Sequence, residues 1–377
     1  MGGATLVREL TPARAGRVPF AIATPADDAE IRRLLRENPM SGRIALTFER
    51  EPDYFADAGL PGTEKHTVIA SENNRVVCAG SCAIRERFIN GEPRRVGYLG
   101  GLRLDARATG RFDILRRGYE FFRELQTGAP ADYYFTSIAA DNAPARKFLE
   151  RGLAGMPAYE FVGEFVTALL PAGRPAPSCA VPGAGTLDSG ELLNCLNDNG
   201  RHYQFAERWT AQEFTALSAL GLQAENFHCV RIGGRITAAA ALWDQRVFKQ
   251  TVIRGYAPWL ALARPAVNVA ARILGTPRLP AVGSTLAHAF VSHLAVDPEE
   301  SGALAALIAP LRTFAAGRGI EFLTVGFAAN DSRLASLRRN FRGREYRSRI
   351  YVVRWPGLGG SAQELDGRCL GPEVALL

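Results

Sequence analysis

The chain repeats itself, and the repeat restricts it to architectures built from two related halves. Ala139-Ala140-Asp141-Asn142 runs into a helical stretch, and 189 positions later Ala328-Ala329-Asn330-Asp331 does the same. Each copy follows an apolar run, Tyr133 to Ile138 and Glu321 to Gly326. Each also leads into helix-period apolar residues (Phe148 and Leu149; Leu334 and Leu337) closed by Gly152 or Gly343. Asn142 and Asp331 suit a helix N-cap, and Pro144 suits a first turn. Upstream, Arg75-Val76-Val77-Cys78-Ala79 parallels Arg235-Ile236-Thr237-Ala238-Ala239 at an offset of 160, so the second copy carries about 29 extra residues between two of its strands. Within them, residues 258–275 read as an apolar helix bracketed by Pro258 and Gly275. An exposed apolar helix is an aggregation liability, so this one is expected to pack on the second half's sheet edge or across the first half's cleft. Pro171 to Gly190 holds four prolines and four glycines and reads as a linker. The expected units are residues 18–170, a linker 171–190, and residues 191–356; residues 1–172 expressed alone are expected to keep their ligand binding but lose acceptor selectivity or solubility.

A chain of 377 residues, 47% hydrophobic and 22% charged, can bury two cores without disulfide or metal. No stretch approaches the roughly 20 apolar residues of a membrane span, and residues 1–17 mix Arg, Glu and Pro where a signal peptide has an apolar core. Gly2 is followed by Leu6 where N-myristoylation needs Ser or Thr. A cytoplasmic protein without a membrane partner is expected. The cysteines at 78, 82, 179, 195, 229 and 369 show no zinc spacing. Cys78 and Cys82 share a strand face and read as a reduced apolar pair. The net charge is +7, and Asp331 to Trp355 holds eight arginines against two acids. The basic segment from Arg333 to Arg354 could receive a nucleotide phosphate, an acidic substrate or RNA. No RNA-binding signature accompanies it, and a solvated helix and edge strand is the alternative.

The first half reads in order as a helix over 27–38, a strand over 44–48, and a three-stranded meander. Its strands are Thr67 to Ala70, Val76 to Phe88 and Val96 to Leu104, turned at Asn73-Asn74 and Asn90-Gly91. Gly100-Gly101 interrupts the third strand, which marks a bulge or a close approach by a ligand. Beyond Asp105 the chain turns through Gly110 into a helix ending near Leu125. A strand, a glycine turn and a helix N-terminus together expose unpaired N–H groups, a ready anion site. The strand from Tyr133 then lies parallel to the bulged one through a right-handed crossover.

Three segments, Tyr98-Leu99-Gly100-Gly101-Leu102-Arg103-Leu104-Asp105, Arg107-Ala108-Thr109-Gly110-Arg111-Phe112, and Asn142 to Gly152, resemble the fourth strand, phosphate turn and following helix of the GNAT acyltransferase superfamily. The resemblance covers residues 18–170 and, more weakly, 188–356. It implies an α/β fold of two tandem GNAT-like domains, each a curved mixed β-sheet flanked by helices. It also implies acetyl-CoA or another acyl-CoA as co-substrate, held by the main chain of Leu102 and Leu104 and by the turn Thr109, Gly110 and Arg111, with Asn142 beyond the fifth strand. The chain departs from the pattern at Phe112, where the family prefers glycine or alanine. Asp113 can cap the helix with a carboxylate where a phosphate would sit. Phe148 and Leu149 stand where many members carry the tyrosine that protonates the leaving thiolate. In the second half, Glu299 and Glu300 face the pyrophosphate position, and like charge is unfavourable there. That half is expected to shape or recognise rather than bind CoA.

Acyl transfer to an amine needs a base, support for the oxyanion and an acid for the thiolate. Glu86 is the one ionisable residue among the even positions of the strand Val76 to Phe88 and would serve as base if burial raised its pKa; pairing with an arginine is the alternative. Tyr159 could reach the cleft as the acid, or simply pack. Asp105 and Asp141 suit turn and cap roles. His288 and His293 come to one strand face only if a bulge separates them; without a third ligand they read as strand histidines, and no metal is expected. The sequence therefore points to an N-acyltransferase working by direct attack of a small-molecule or peptide amine. Alternatives are an aminoacyl transferase using charged tRNA and a non-catalytic CoA-sensing or partner-binding module.

Overall fold

The computed structural model describes residues 18–40, 42–108, 110–173, 188–274, 276–297, 300 and 302–377. The first half runs β1 (Phe20–Ile22), α1 (Asp28–Glu37), β2 (Ile44–Glu49), β3 (Glu64–Glu72), β4 (Arg75–Ile89), β5 (Glu92–Leu104), α2 (Phe112–Gln126), β6 (Tyr133–Ala139), α3 (Ala143–Leu149) and β7 (Ala158–Pro171). The second runs α4 (Ser189–Gly200), α5 (Ala211–Leu217), β8 (Phe227–Ile232), β9 (Arg235–Trp243), β10 (Gln250–Tyr256), α6 (Pro258–Leu274), β11 (His288–Val296), α7 (Ala303–Gly317), β12 (Phe322–Ala328), α8 (Ser332–Asn340) and β13 (Arg344–Arg354). Turn chemistry sets the hairpins. Asn73 and Asn74 (φ 52° and 60°) join β3 to β4, and Gly233 and Gly234 (φ 58° and 84°) join β8 to β9 at the equivalent place. Both pairs adopt the left-handed backbone that two-residue hairpins need. Asn90-Gly91 (φ 54° and 83°) closes β4 onto β5; where β9 should close onto β11, the second half instead inserts β10 and α6.

The two halves build one eleven-stranded sheet in the order β1-β3-β4-β5-β6-β13-β7-β12-β11-β9-β8. This order is a palindrome of the repeat. Each half gives its last strand to the other: β13 pairs with β6 of the first half, and β7 pairs with β12 of the second. The exchanged strands pair with each other from Arg344↔Leu169 to Arg354↔Ala158. Residues 1–172 alone would therefore lack the strand that covers β6, and would carry β7 with both of its sheet partners missing. An unpaired central strand leaves a row of N–H and C=O groups exposed, which is a physical reason to expect residues 1–172 alone to lose solubility.

Side-chain alternation gives the sheet two dressed faces. On one, Ala238, Ala240 and Leu242 of β9 pack against α7, and Cys82 and Ile84 of β4 lie with Phe122 of α2. On the other, Ala239, Ala241 and Trp243 join Leu192 and Leu196 of α4, Phe205, Trp209 and the C-terminal Val374 and Ala375. That cluster also takes in Val96 and Phe135 of the first half, so it is the shared core. β4 contributes two arginines to the joint. Arg85 bonds Glu213 at 2.5 Å, and Arg87 bonds Glu207 and the Phe205 carbonyl, all four charged side chains being nearly inaccessible. A second joint is the two-stranded ribbon of β2 and β10, one strand from each half.

The inserted helix differs from expectation. α6 buries only Ala271, leaving Trp259, Leu262, Val269 and Ile273 between 58% and 84% exposed. It packs neither on a sheet edge nor across the cleft. Its inward positions are occupied by small or polar residues, and Asn268 and Arg264 tie it to the main chain of Leu279.

Breaking a buried ion pair leaves one charge without compensation, at a cost of about 3–5 kcal/mol. Glu207→Gln is expected to destabilise the chain by about that much in urea unfolding, because Arg87 has no other carboxylate partner among the described residues. A loss below about 1 kcal/mol would show that the joint between the halves does not rest on this pair.

Candidate functional site

β5 and β6 run parallel only from Val96↔Tyr133 to Leu99↔Thr136, and then part. The cause lies at Gly100 and Gly101. The pairing with β4 slips between Ala79 and Ser81, and Gly101 takes a left-handed φ of 65°. Beyond the bulge, Asp105 N–H donates to Val77 O at 2.8 Å. By strand alternation the main-chain groups of Leu104 and Leu102 point the other way, into a gap without a neighbouring strand. Leu102 O accepts from Arg103 Nη1 at 2.8 Å.

At the head of the gap stands the N-terminus of α2. Gly110 (φ 87°) turns the chain into it, and space is open around its missing Cβ. Thr109 lies outside the described residues. The Asp113 carboxylate pairs with Arg111 and is held down further by its own N–H and that of Ile114, while Phe112 N–H and Ile114 N–H donate to Gly110 O and Arg111 O. Asn142 caps α3, accepting from Ala145 N–H at 3.2 Å. Phe112 stacks on Phe148 with ring centroids 4.8 Å apart, bridging α2 and α3. Arg146 of α3 keeps a buried Nε with no hydrogen-bond partner. Leu102 and Leu104 thus follow the bulge on β5, Gly110 and Arg111 precede α2, and Asn142 caps α3 after β6.

Glu86 and Tyr159, the two residues expected to carry the chemistry, both lie away from the bulge. Glu86 pairs with Arg95 of β5, about 17 Å along the strand from Gly100. It is exposed and ion-paired with Arg208 of the second half. Ile84 and Phe88 on either side of it on the even face are buried, but Glu86 itself is not, so the burial a base requires is missing. Tyr159 bonds Tyr119 through their hydroxyls, in an aromatic cluster under α2. The register through Val353 and Tyr134 puts it level with Gly97, short of the bulge and three strands from β5. Burial first, and then Tyr119, holds its hydroxyl well above the ordinary phenol value.

Other groups stand beside the bulge. Ser81 Oγ donates to Gly100 O at 3.1 Å, and Tyr54 OH lies 3.1 Å from Thr67 Oγ1, on the residue paired with Ser81. Burial raises the Tyr54 hydroxyl above its usual range. No motif marks these hydroxyls in the sequence, because the segment holding Tyr54 has no period.

The second half repeats the bulge and fills it. His293 has a φ of 53° at the position equivalent to Gly101, and Asp297 N–H donates to Thr237 O at 2.9 Å as Asp105 does to Val77. Here Val296 O, the counterpart of Leu104 O, accepts from Asn199 Nδ2 at 2.8 Å. His293 N–H donates to Glu373 Oε2 at 2.7 Å. Burial, with Glu207 next, pushes the Glu373 carboxyl up to about 7. Beside it Lys249 donates to the main-chain oxygens of Ala375 and Leu377, its ammonium pushed down to about 7 by burial. Glu299 and Ser301 of this half's turn lie outside the described residues.

His288 bonds Thr251 and Thr324, and His293 stacks on Trp209 with centroids 3.9 Å apart. Among the described residues no cluster of three or more potential ligands could hold a metal. Cys78 and Cys82 are buried free thiols, and Cys179 lies outside the described residues. Five of the eight arginines between 331 and 355 are paired, Arg333 with Asp331, Arg338 with Glu345, and Arg347, Arg349 and Arg354 with Glu164, Glu150 and Glu160. The last four of these pairs fasten β13 to its neighbours, while Arg339, Arg342 and Arg344 are exposed. No described helix is long and apolar enough to cross a membrane.

No family model matches the sequence, and no curated protein matches it. Solved structures do resemble it. A GCN5-related N-acetyltransferase from Sphaerobacter thermophilus superposes with a TM-score of 0.54 at 13% identity, covering 92% of this chain and 99% of that one. Saccharomyces cerevisiae N-myristoyltransferase with bound myristoyl-CoA gives 0.58 at 11% identity, covering 96% and 90%. The chain has the GNAT fold.

Burial lowers His228 and His288 to about 4 and His293 to about 3, so all three are neutral in the folded chain. The unfolded chain takes up their protons near pH 6.5, so their contribution is intact above that pH and is lost as pH falls toward 4. His228 has no hydrogen-bond partner on either ring nitrogen. His228→Phe is expected to reduce the stability lost between pH 7.5 and pH 5 by about 1–2 kcal/mol in urea unfolding. An identical loss in the variant would mean that His228 titrates normally.

Proposed function

We propose that the chain is an N-acyltransferase which binds an acyl-CoA in the gap of the first half and passes the acyl group to an amine. The observation that carries this reading is the contrast between two equivalent bulges: one keeps its strand edge open beside the glycine turn into α2, and the other is filled by the chain itself. Main-chain groups of Leu102 and Leu104 would bind the amide-bearing arm of the cofactor. The first turn of α2, after Gly110, would take the pyrophosphate, with Arg146 close by for charge. The likeness to acyltransferase structures supports this assignment, and acetyl-CoA is one candidate donor among acyl-CoAs. The acceptor would be a small-molecule or peptide amine.

The amine attacks the thioester carbonyl directly, the C–S bond breaks, and the proton that the nitrogen loses passes to the departing sulfur through a hydroxyl that gives one proton and takes up the other. Ser81 bonds Gly100 O and Tyr54 stands behind it through Thr67, on the face opposite α2, and Tyr54 stays protonated under its burial; Thr136, which donates to Leu99 O, and Tyr98, whose ring lies against Gly100, are the other hydroxyl side chains there. Ser81 and Tyr54 are the groups we assign to that proton, in place of Tyr159. Glu86, exposed and held by Arg208, takes no part. The paired arginines of β13 disfavour a tRNA-dependent reaction.

Two measurements test this. In calorimetry with CoA, Gly110→Asp is expected to weaken binding by roughly tenfold or more, since it places a carboxylate beside the phosphates, whereas Gly110→Ala introduces only the left-handed strain of about 1 kcal/mol. Equal affinity in wild type and Gly110→Asp would put the site elsewhere. In thioester turnover, Tyr54→Phe is expected to lower kcat by about 10²-fold with KM little changed, as loss of a positioned acid does. Full activity in a folded Tyr54→Phe would remove it from the mechanism, and absence of thioester turnover with any amine would favour a CoA-sensing module.

A further inference from the structure

We infer that α6 is a docking element that lies on an anionic lipid surface. Its outward stripe, Trp259, Leu262, Val269 and Ile273, follows helical spacing and spans about 21 Å. These side chains are 58%, 84%, 62% and 79% exposed. The charge around them has one sign. From residue 245 to residue 296 the sequence contains six cations and no aspartate or glutamate. Arg246 pairs with Asp244, Arg254 with Glu49, and Lys249 is turned inward. Arg272 and Arg278 are exposed and have no carboxylate partner among the described residues.

An apolar ridge edged by unpaired arginines and a tryptophan is the composition of a helix that rests at a headgroup boundary, its apolar side in the acyl region and its cations toward lipid phosphate. The shape supports lipid over a folded partner. The stripe lies on the outer face of a helix that buries only Ala271, so a protein would need a channel shaped to it, whereas a fluid surface conforms. The expectation of no membrane partner rested on the lack of a span, and a helix lying on the surface needs none.

Trp259 supplies the probe, because the other three tryptophans, Trp209, Trp243 and Trp355, are buried. The full chain is mixed with phosphatidylcholine vesicles, with and without phosphatidylglycerol, and both co-flotation and tryptophan emission are followed. Binding to the anionic vesicles with a blue shift of emission is expected, weakening as salt rises. Trp259→Phe should bind but lose the shift. Leu262→Asp with Ile273→Asp should abolish flotation while circular dichroism stays unchanged, since these side chains are exposed. Arg272→Glu with Arg278→Glu should weaken it by roughly tenfold or more. No flotation with anionic vesicles, or equal flotation with neutral ones, would overturn the inference. So would a wild-type dimer in lipid-free buffer that the Leu262→Asp, Ile273→Asp variant dissolves, because the face would then belong to a second copy. CoA affinity is read separately, so a failure here leaves the acyl-CoA reading untouched.

Discussion

The pairing of β7 with β13 holds the molecule together, and most of its other features follow from it. Eleven residues of β13 lie along β7, and their outer edges complete the sheet of the opposite half. An ordinary tandem repeat could hinge at its linker. Here a hinge motion would have to break ladder hydrogen bonds at the centre of the sheet, where each buried N–H and C=O lost is costly. The cross-strand pairs Arg347 with Glu164 and Arg354 with Glu160 decorate the same seam. The arginine density near the C-terminus thus belongs to the assembly of the fold.

The two halves also show how one backbone device serves two ends. A left-handed residue in the fourth strand of each half splits that strand from its parallel neighbour. At Gly101 the missing side chain leaves space, with Ser81 Oγ 3.3 Å from where a Cβ would be. At His293 the side chain is present and is built into an aromatic box of Trp209, Phe214 and Phe227. A non-glycine residue in this conformation carries strain of order 1 kcal/mol or more, and here the stacking and the Glu373 bond over-determine it. The second gap is then closed by Asn199 and the C-terminal segment, which makes it part of the core.

Much of this was legible in the residues. The offsets of 160 and 192 align the hairpin turns, the bulges and the strand ends of the two halves, and the structure repeats them in Asn73-Asn74 with Gly233-Gly234, Gly101 with His293, and Asp105 with Asp297. Local signals of this kind need only a few neighbouring residues. What was not legible depends on partners distant in sequence. Glu86 sits on the face that alternation assigns it, yet depth along a strand is set by what covers it, and at that end nothing from α2 does. Its neighbours Arg85 and Arg87, which composition would place at the surface, are buried because Glu213 and Glu207 come from the other half. The exchange of β7 and β13 was equally hidden, since an alternating apolar strand does not announce which edge it will join.

The remaining constraint is on the acceptor side. The face of the sheet opposite α2 carries α1, α4, α5 and the β2–β10 ribbon, and this ribbon reaches from α1 of the first half to Thr251, whose hydroxyl bonds His288 of the second. The hydroxyls of Tyr54 and Ser81 belong to that side, whereas the helix N-terminus that would take phosphate opens on the other. A donor and an acceptor entering from opposite faces would meet only at the bulge, where the strand edge is open. The first half alone can supply the donor's contacts. The wall on the acceptor's side is built jointly, because β2 has no sheet partner except β10. Under the proposed acyl transfer, selection among amines would belong to the pair of halves, which would give the second copy a role although its own gap is closed.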